Sequence, residues 1–461
     1  MIMPIRRSAF DLEGVVKGRV PIRILDGGMG TVLRSSGVAF KGSLWASSAN
    51  LTSPQAIVDS HLAFLNAGAD ILLSNTYQAT PQFEIPQFLR TGVQLAASAR
   101  NTYVQGQSGF RNRQRPHIAL SLGPYGATLP LAAEYTGLYP PPVFGPAPIG
   151  SHEESASKRV SGSQQLDSSN DDIDSYLSTN AFFTTPVSRE GSSNASHSSE
   201  HHANEASVEA LAEWHYKRCS VYALHAHIWN EIDYLAFETV PLVREAVAIR
   251  RALHKLYASP TSADDSTKIE LKPWWISFTF PNGELPEESY VGGPKLGVEE
   301  IVHALFTDDN ASASAETKPE VSSTPLPIPF AIGINCTAPC YIPSILAQLS
   351  SALSKLHEKL AHQTRPSNSR PWLVLYPNSG CWYNAENKTW HKVETGPSTV
   401  VPIGEIHQLR LSWAEEVVRI IEPYVSLPNS ESPFGGFIIG GCCQTKPDDI
   451  EKLRNLLLPP S

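Results

Sequence analysis

Eight apolar runs of strand length, each followed by a stretch of helical periodicity, narrow the fold of this 461-residue chain more than any other feature. The runs lie at 22–25, 70–74, 117–122, 232–237, 274–279, 329–334, 372–376 and 436–439. Between them, 54–67, 206–230, 241–257, 342–358 and 407–423 space their apolar residues by three or four, the period of a helix packed on one face. Pro54 and Pro447 stand where a first-turn proline is tolerated. Strand and helix in alternation imply a parallel sheet. A count of eight favours a closed (β/α)8 barrel of the TIM type over an open doubly wound sheet. The first strand also runs into Asp-Gly-Gly-Met-Gly-Thr (26–31), which lacks the GxGxxG spacing of a dinucleotide-binding turn.

One long stretch interrupts this alternation. Residues 141 to about 205 open on prolines, and fifteen of the fifty residues from 151 to 200 are serine. Such a segment buries too little apolar surface to offset its ordering entropy, so it is expected to be a disordered insertion after the third strand. Shorter polar stretches at 259–268, 307–325 and 360–370 read as loop expansions. One barrel domain over 1–461, carrying these insertions, is the expected organisation.

A net charge of −9 argues against a nucleic-acid partner. No apolar run approaches the ~20 residues that cross a bilayer, so no membrane partner is expected. The start of the chain lacks the apolar core of a secretory signal, which points to a cytoplasmic, reducing compartment. Six cysteines are too few for a disulfide framework.

A barrel places its chemistry just after the strands, on one face. Asp26 follows the first run, Asn75-Thr76-Tyr77 the second, Glu238-Thr239 the fourth, Asn335-Cys336 the sixth and Cys442-Cys443 the eighth. Three thiolates with an open fourth position form a zinc site that acts on a substrate. Neighbouring residues of an ideal strand face opposite ways, so Cys442 and Cys443 reach one ion only if the chain has already turned, as Gly440 and Gly441 permit. Buried small hydrophobes or a vicinal redox pair remain the alternatives on the cysteine pattern alone.

The stretches LDGGMGT (25–31), LNAGADILLSNTYQAT (65–80), LAFETVP (235–241), GINCTAP (333–339), YPNSGCWYNAENKTW (376–390) and GGCCQTKPDDI (440–450) together resemble the homocysteine S-methyltransferase family. They most resemble its stand-alone enzymes, which use S-methylmethionine or S-adenosylmethionine. The resemblance covers nearly all of the chain outside the insertions. It implies a (β/α)8 barrel, Zn(2+) held by Cys336, Cys442 and Cys443, and methyl transfer to homocysteine to form methionine. It leaves Cys340 and Cys381 without a ligand role.

The same resemblance implies that Asp26 and Glu238 meet the homocysteine ammonium, with Gly27 and Asn335 also at the substrate. The amides of the Gly27-Gly28 turn offer a place for the carboxylate. Read without the family, Asp26 is a turn residue before glycines. Glu238, closing an apolar run, has no such plain explanation, because an unpaired buried carboxylate is costly. A sulfonium donor favours aromatic faces. Trp45, Tyr77, Trp382 and Tyr383 are the candidates, although an aromatic of this kind is more often simply part of a core. The His197, His201 and His202 run reads as part of the serine-rich insertion rather than as a metal site. A betaine-type or other thiol or selenol methyltransferase of the same family is the alternative. A scaffold acting through the serine-rich segment would have no need of the three cysteines.

Overall fold

The computed structural model describes residues 20–40, 44–79, 86–106, 115–129, 133–139, 196–262, 265–290, 293–307, 325–361, 370–384, 389–392 and 411–459. Eight parallel strands form one sheet: β1 (Ile22–Ile24), β2 (Ile71–Leu73), β3 (His117–Leu122), β4 (Tyr234–Val240), β5 (Trp274–Phe278), β6 (Ala331–Asn335), β7 (Trp372–Tyr376) and β8 (Phe437–Ile439). Each pairs with its neighbour in chain order, and β8 pairs with β1. A parallel bridge from Leu25 to Ile71 joins β1 to β2, so the sheet closes on itself.

A helix follows every strand: α1 (Pro54–Asn66), α2 (Pro86–Gly106), α3 (Ser196–Ala223), α4 (Val243–Ala258), α5 (Val298–Phe306), α6 (Ile342–Ala361), α7 (Trp413–Val425) and α8 (Pro447–Leu457). Prolines open α1 and α8 as expected. Side chains alternate across the strands. Leu25, Ile71, Tyr234, Trp275, Val374, Tyr376 and Ile438 fill the lumen, while Leu235, Phe237, Ile276, Ile332 and Leu375 pack outward against the helices. At Gly333 the sheet leaves no room for a side chain, since a Cβ would lie 1.7 Å from the Val374 carbonyl oxygen.

Two boundaries differ from the sequence expectation. β4 runs on to Val240, so Glu238 and Thr239 belong to the strand rather than to the loop after it. Its register against β5 shifts between Phe237 and Val240, and Thr239 there takes a φ of 58°. Helix α3 begins at Ser196, inside the stretch expected to be disordered to about 205. Val208, Leu211 and Trp214 of α3 pack with Ala248 of α4, and at the rim the Arg251 guanidinium of α4 pairs with Glu205 at 2.5 Å and with Glu209 one turn later. The rest of the expected insertion, 141–195, lies outside the described residues. No helix among the described residues is long and apolar enough to cross a membrane.

Candidate metal and substrate site

Cys336, Cys442 and Cys443 converge at the C-terminal ends of β6 and β8, with all three sulfurs within 4.8 Å of one another. The loop after β7 holds the two cysteine segments together. Asn378 donates its side-chain amide to the Cys336 carbonyl at 3.2 Å. Ser379 N–H bonds the Cys443 carbonyl at 3.1 Å, and Cys442 N–H bonds that of Pro377 at 2.9 Å. The turn that the two adjacent cysteines require is present. β8 ends at Ile439, and Gly440 packs so closely that a Cβ would stand 2.7 Å from the Asp26 carbonyl oxygen. Cys336 and Gln444 adopt φ values of 48° and 66°, a region that side chains other than glycine seldom occupy. Such strain gathers at sites whose geometry the surrounding structure dictates.

The sulfur triangle can be compared with a metal's demands. Zinc–sulfur bonds of about 2.3 Å in a tetrahedron set neighbouring sulfurs about 3.8 Å apart. Cys443 Sγ lies 3.8 Å from Cys336 Sγ and 3.9 Å from Cys442 Sγ, so two edges match. The third edge is closed, with Cys336 and Cys442 joined as a disulfide. Metal binding therefore needs that pair reduced. Burial pushes the Cys443 thiol up to about 11, against a hydrogen bond from Tyr135, and the charges of Glu134 and Glu238 push the same way as burial. These surroundings disfavour a bare thiolate and favour a thiolate neutralised by a cation. Cys340 is exposed and stands outside the cluster.

Buried carboxyl groups lie beside the cluster, with the Glu238 charge reaching both Cys443 and Asp26. Asp26 accepts the Leu73 N–H at 2.9 Å through Oδ2, while Oδ1 has no hydrogen-bond partner among the described residues. Burial, and then the Glu238 charge, raise its pKa well above the ordinary carboxylate range. Glu238 accepts from the Ser121 hydroxyl and bonds Tyr376, yet burial still pushes it up to about 7. Tyr376 in turn meets the Ser277 hydroxyl at 2.6 Å. Burial disfavours the charge on these two neighbouring carboxyls, and a cation placed against them would restore it.

The remaining expected residues divide. Asn335 is fully buried, and both ends of its amide are taken by Thr239, at 2.7 Å to the N–H and 2.7 Å to the hydroxyl. It therefore fixes the β4 bulge beside Glu238. The Tyr77 phenol bonds Thr239 and lies near Glu134, Glu238 and Cys443. The Gly28 N–H is spent on Thr445, at 3.2 Å to its carbonyl and 3.1 Å to its hydroxyl, which corrects the expectation that both turn amides take a carboxylate. Gly27 sits against the Phe64 ring and Thr445. Trp45 packs over Gly30, and Arg34 already lies 5.1 Å from its ring centroid. Trp382 and Tyr383 lie on a hairpin after β7, paired with His391 and Trp390; their side chains lie outside the described residues. The same holds for the side chains of His197, His201 and His202, whose backbone belongs to α3.

Arg218, Glu134, Tyr135 and Tyr376 were not singled out from sequence. Arg218, fully buried on α3, donates to the carbonyls of Ala79 at 3.2 Å, Thr76 at 3.0 Å and Tyr77 at 2.7 Å, and to that of Gly123. One guanidinium thus staples the loops after β2 and β3. The signal available in sequence was an arginine within an otherwise apolar helical face beside Trp214 and Tyr222.

A model of the homocysteine S-methyltransferase family matches residues 23–158 and 179–457. The chain is 25% identical to the homocysteine S-methyltransferase YbgG of Bacillus subtilis, covering 94% of this chain and 93% of that one. It is 26% identical to the selenocysteine Se-methyltransferase of Brassica oleracea var. italica, over 97% and 92%. Among solved structures, the metallated form of the homocysteine methyltransferase MmuM from Escherichia coli superposes with a TM-score of 0.50 at 22% identity, over 94% of this chain and 96% of that one. That similarity speaks for the fold.

Proposed function

Because the chain belongs to the homocysteine S-methyltransferase family, we propose that it transfers a methyl group from a sulfonium donor, S-methylmethionine or S-adenosylmethionine, to the thiol of L-homocysteine, forming methionine. The observation that carries this is the pairing, across one barrel mouth, of a three-sulfur cluster with the buried Asp26 and Glu238 carboxyls. A thiol amino acid has the two matching groups, a sulfur for one side and an ammonium for the other.

Cys336, Cys442 and Cys443 would hold a zinc ion, whose charge keeps the acceptor thiol deprotonated at neutral pH. Asp26 and Glu238 bind the ammonium, with Ser121 and Tyr376 orienting Glu238. The acceptor sulfur then forms a bond to the donor's methyl carbon as the donor's carbon–sulfur bond breaks. That electron pair stays on the donor sulfur, which becomes a neutral thioether. The thiol proton has already left to solvent, so no general base is needed at the methyl. The residues supply alignment and a partly dry site.

The test is a donor panel on the reduced protein with its metal quantified in the same preparation. About one zinc per chain is expected, with homocysteine methylation from S-methylmethionine or S-adenosylmethionine. Turnover with betaine alone would overturn the donor assignment, and full turnover without metal would overturn the zinc site. The likeness to a selenocysteine Se-methyltransferase supports adding selenol acceptors to the panel.

A further inference from the structure

The loop after β3, Ala133–Tyr139, is built into the mouth by contacts that the acceptor site does not use. Gly137 N–H closes it onto the Ala133 carbonyl at 2.8 Å, with a φ of 67° that glycine accepts freely. Gly126 lies beneath it, where a Cβ would come within 2.7 Å of the Glu134 nitrogen and of the Tyr139 ring. The Tyr139 hydroxyl donates to Glu245, which also takes the Tyr125 N–H at 2.7 Å and meets His215 Nε2 at 3.0 Å.

This anchored loop delivers Glu134 and Tyr135 to the third cysteine. The Tyr135 hydroxyl bonds Cys443, and the Glu134 carboxyl lies within electrostatic reach of Cys443, Tyr77 and Tyr135. Glu134 is 7% exposed, and its Oε2 has no hydrogen-bond partner among the described residues. A buried carboxylate with nothing to pair with is costly, and a cationic ligand removes the cost.

The charges of the reactants indicate which ligand. Homocysteine brings one ammonium, and Asp26 with Glu238 already faces it. The sulfonium donor brings a second positive charge as sulfonium, besides its own ammonium, against a single carboxylate. We propose that Glu134 is the docking anion for the positive charge of the methyl donor, with the Tyr77 and Tyr135 rings beside it. This rests on the sulfonium-donor reading above.

Methyl transfer turns the sulfonium into a neutral thioether, so an anion beside it holds substrate more tightly than product. Such an interaction acts on the ground state at least as strongly as on the transition state. Its loss therefore shows in the donor's KM rather than in kcat.

The experiment compares the zinc-loaded full chain with its Glu134→Gln variant. The KM for S-methylmethionine should rise roughly tenfold or more, with kcat within about threefold. The KM for homocysteine and the zinc content should stay unchanged, and Glu134→Asp should recover part of the loss. Direct titration with S-methylmethionine, read by calorimetry, should show the same weakening without turnover. A methyl sulfonium lacking an amino group separates the two sources of charge. An equal penalty assigns Glu134 to the sulfonium, whereas a penalty confined to amino-acid donors assigns it to the ammonium. An unchanged donor KM, or a homocysteine KM that rises by the same factor, would overturn the proposal. Failure of the wild type with every sulfonium donor would instead overturn the parent reading, and would be visible before any variant is made.

Discussion

On one side of the barrel mouth, the ends of β6, β7 and β8 bring three sulfurs together through backbone hydrogen bonds among the cysteine and Asn378 segments. On the other, β1 to β4 and their loops bury the carboxyls of Asp26, Glu134 and Glu238, while the nearby guanidinium of Arg218 is spent on four carbonyl groups. The sulfur side is set by backbone geometry, by glycines that let strands touch and by residues held at positive φ. The carboxyl side is set by burial, with charge left uncompensated. On the proposed function, each side awaits a cation that the chain does not supply: a metal ion on the first, the charged ends of substrates on the second. If the two sides are separate devices, each should fail without the other.

The largest failure is expected on the sulfur side. Cys442→Ala removes one of three ligands and should lower methyl transfer roughly a thousandfold or more, with metal content falling in parallel. Against the reduced, metal-free wild type the unfolding temperature should move little, since Cys442 is only partly buried. Retained zinc with near-normal turnover would show that the cluster is not the metal centre.

Arg218→Met should break the carboxyl side instead. Removing the guanidinium strands four carbonyls in a buried place, at a cost of roughly 3 kcal/mol or more in stability. The loops after β2 and β3 then lose their staple, and homocysteine should bind more weakly. The thiol segments make no contact with Arg218 in these networks, so the folded fraction should still bind metal stoichiometrically. Loss of metal together with substrate binding would show the two sides to be one cooperative unit.

The same division explains what could be read in the sequence. The eight strands were legible because a strand buried on both faces is a continuous apolar run flanked by helical periodicity. The cysteines were legible because their geometry needs glycine and cysteine at fixed, local offsets. The end of β4 was not: Thr239 continues the strand only through a bulge that Asn335 holds from 96 residues away. Arg218 was hidden because its partners lie 95 to 142 residues earlier in the chain. Glu134 was hidden in a loop rich in alanine, proline and tyrosine next to the serine-rich stretch, where nothing local reports burial. The start of α3 at Ser196 was masked by that same serine composition.

Glu238→Gln gives the smallest and most discriminating effect. Burial holds the Glu238 carboxyl at about 7, above its ordinary value of 4.5, so the folded state keeps its proton where the unfolded chain releases it. Stability from this group is therefore fully present below about 4.5 and is lost as pH rises through about 7. Glu134 shifts in the same direction to about 7, so both contribute to the decline. The glutamine variant cannot ionise, and at pH 8 it should be more stable than the wild type, by up to about 3 kcal/mol, with the difference vanishing toward pH 4.5. Binding runs the opposite way. An ammonium needs the carboxylate, so the wild-type KM for homocysteine should fall as pH rises through about 7, and the variant's advantage in stability should coincide with a KM roughly tenfold higher at pH 8. Of the groups around Glu238, Asp26 is the other carboxyl that burial raises; the Tyr376 and Tyr77 phenols, raised well above 10, stay neutral throughout this window, the Ser121 hydroxyl carries no charge and Arg218 stays cationic. The ratio of variant to wild-type KM isolates Glu238 from the acceptor thiol, whose own titration is common to both proteins. A ratio that stays constant across the range would mean that the ammonium is held elsewhere, and that the buried carboxyl pair is a structural feature of the barrel rather than half of its site.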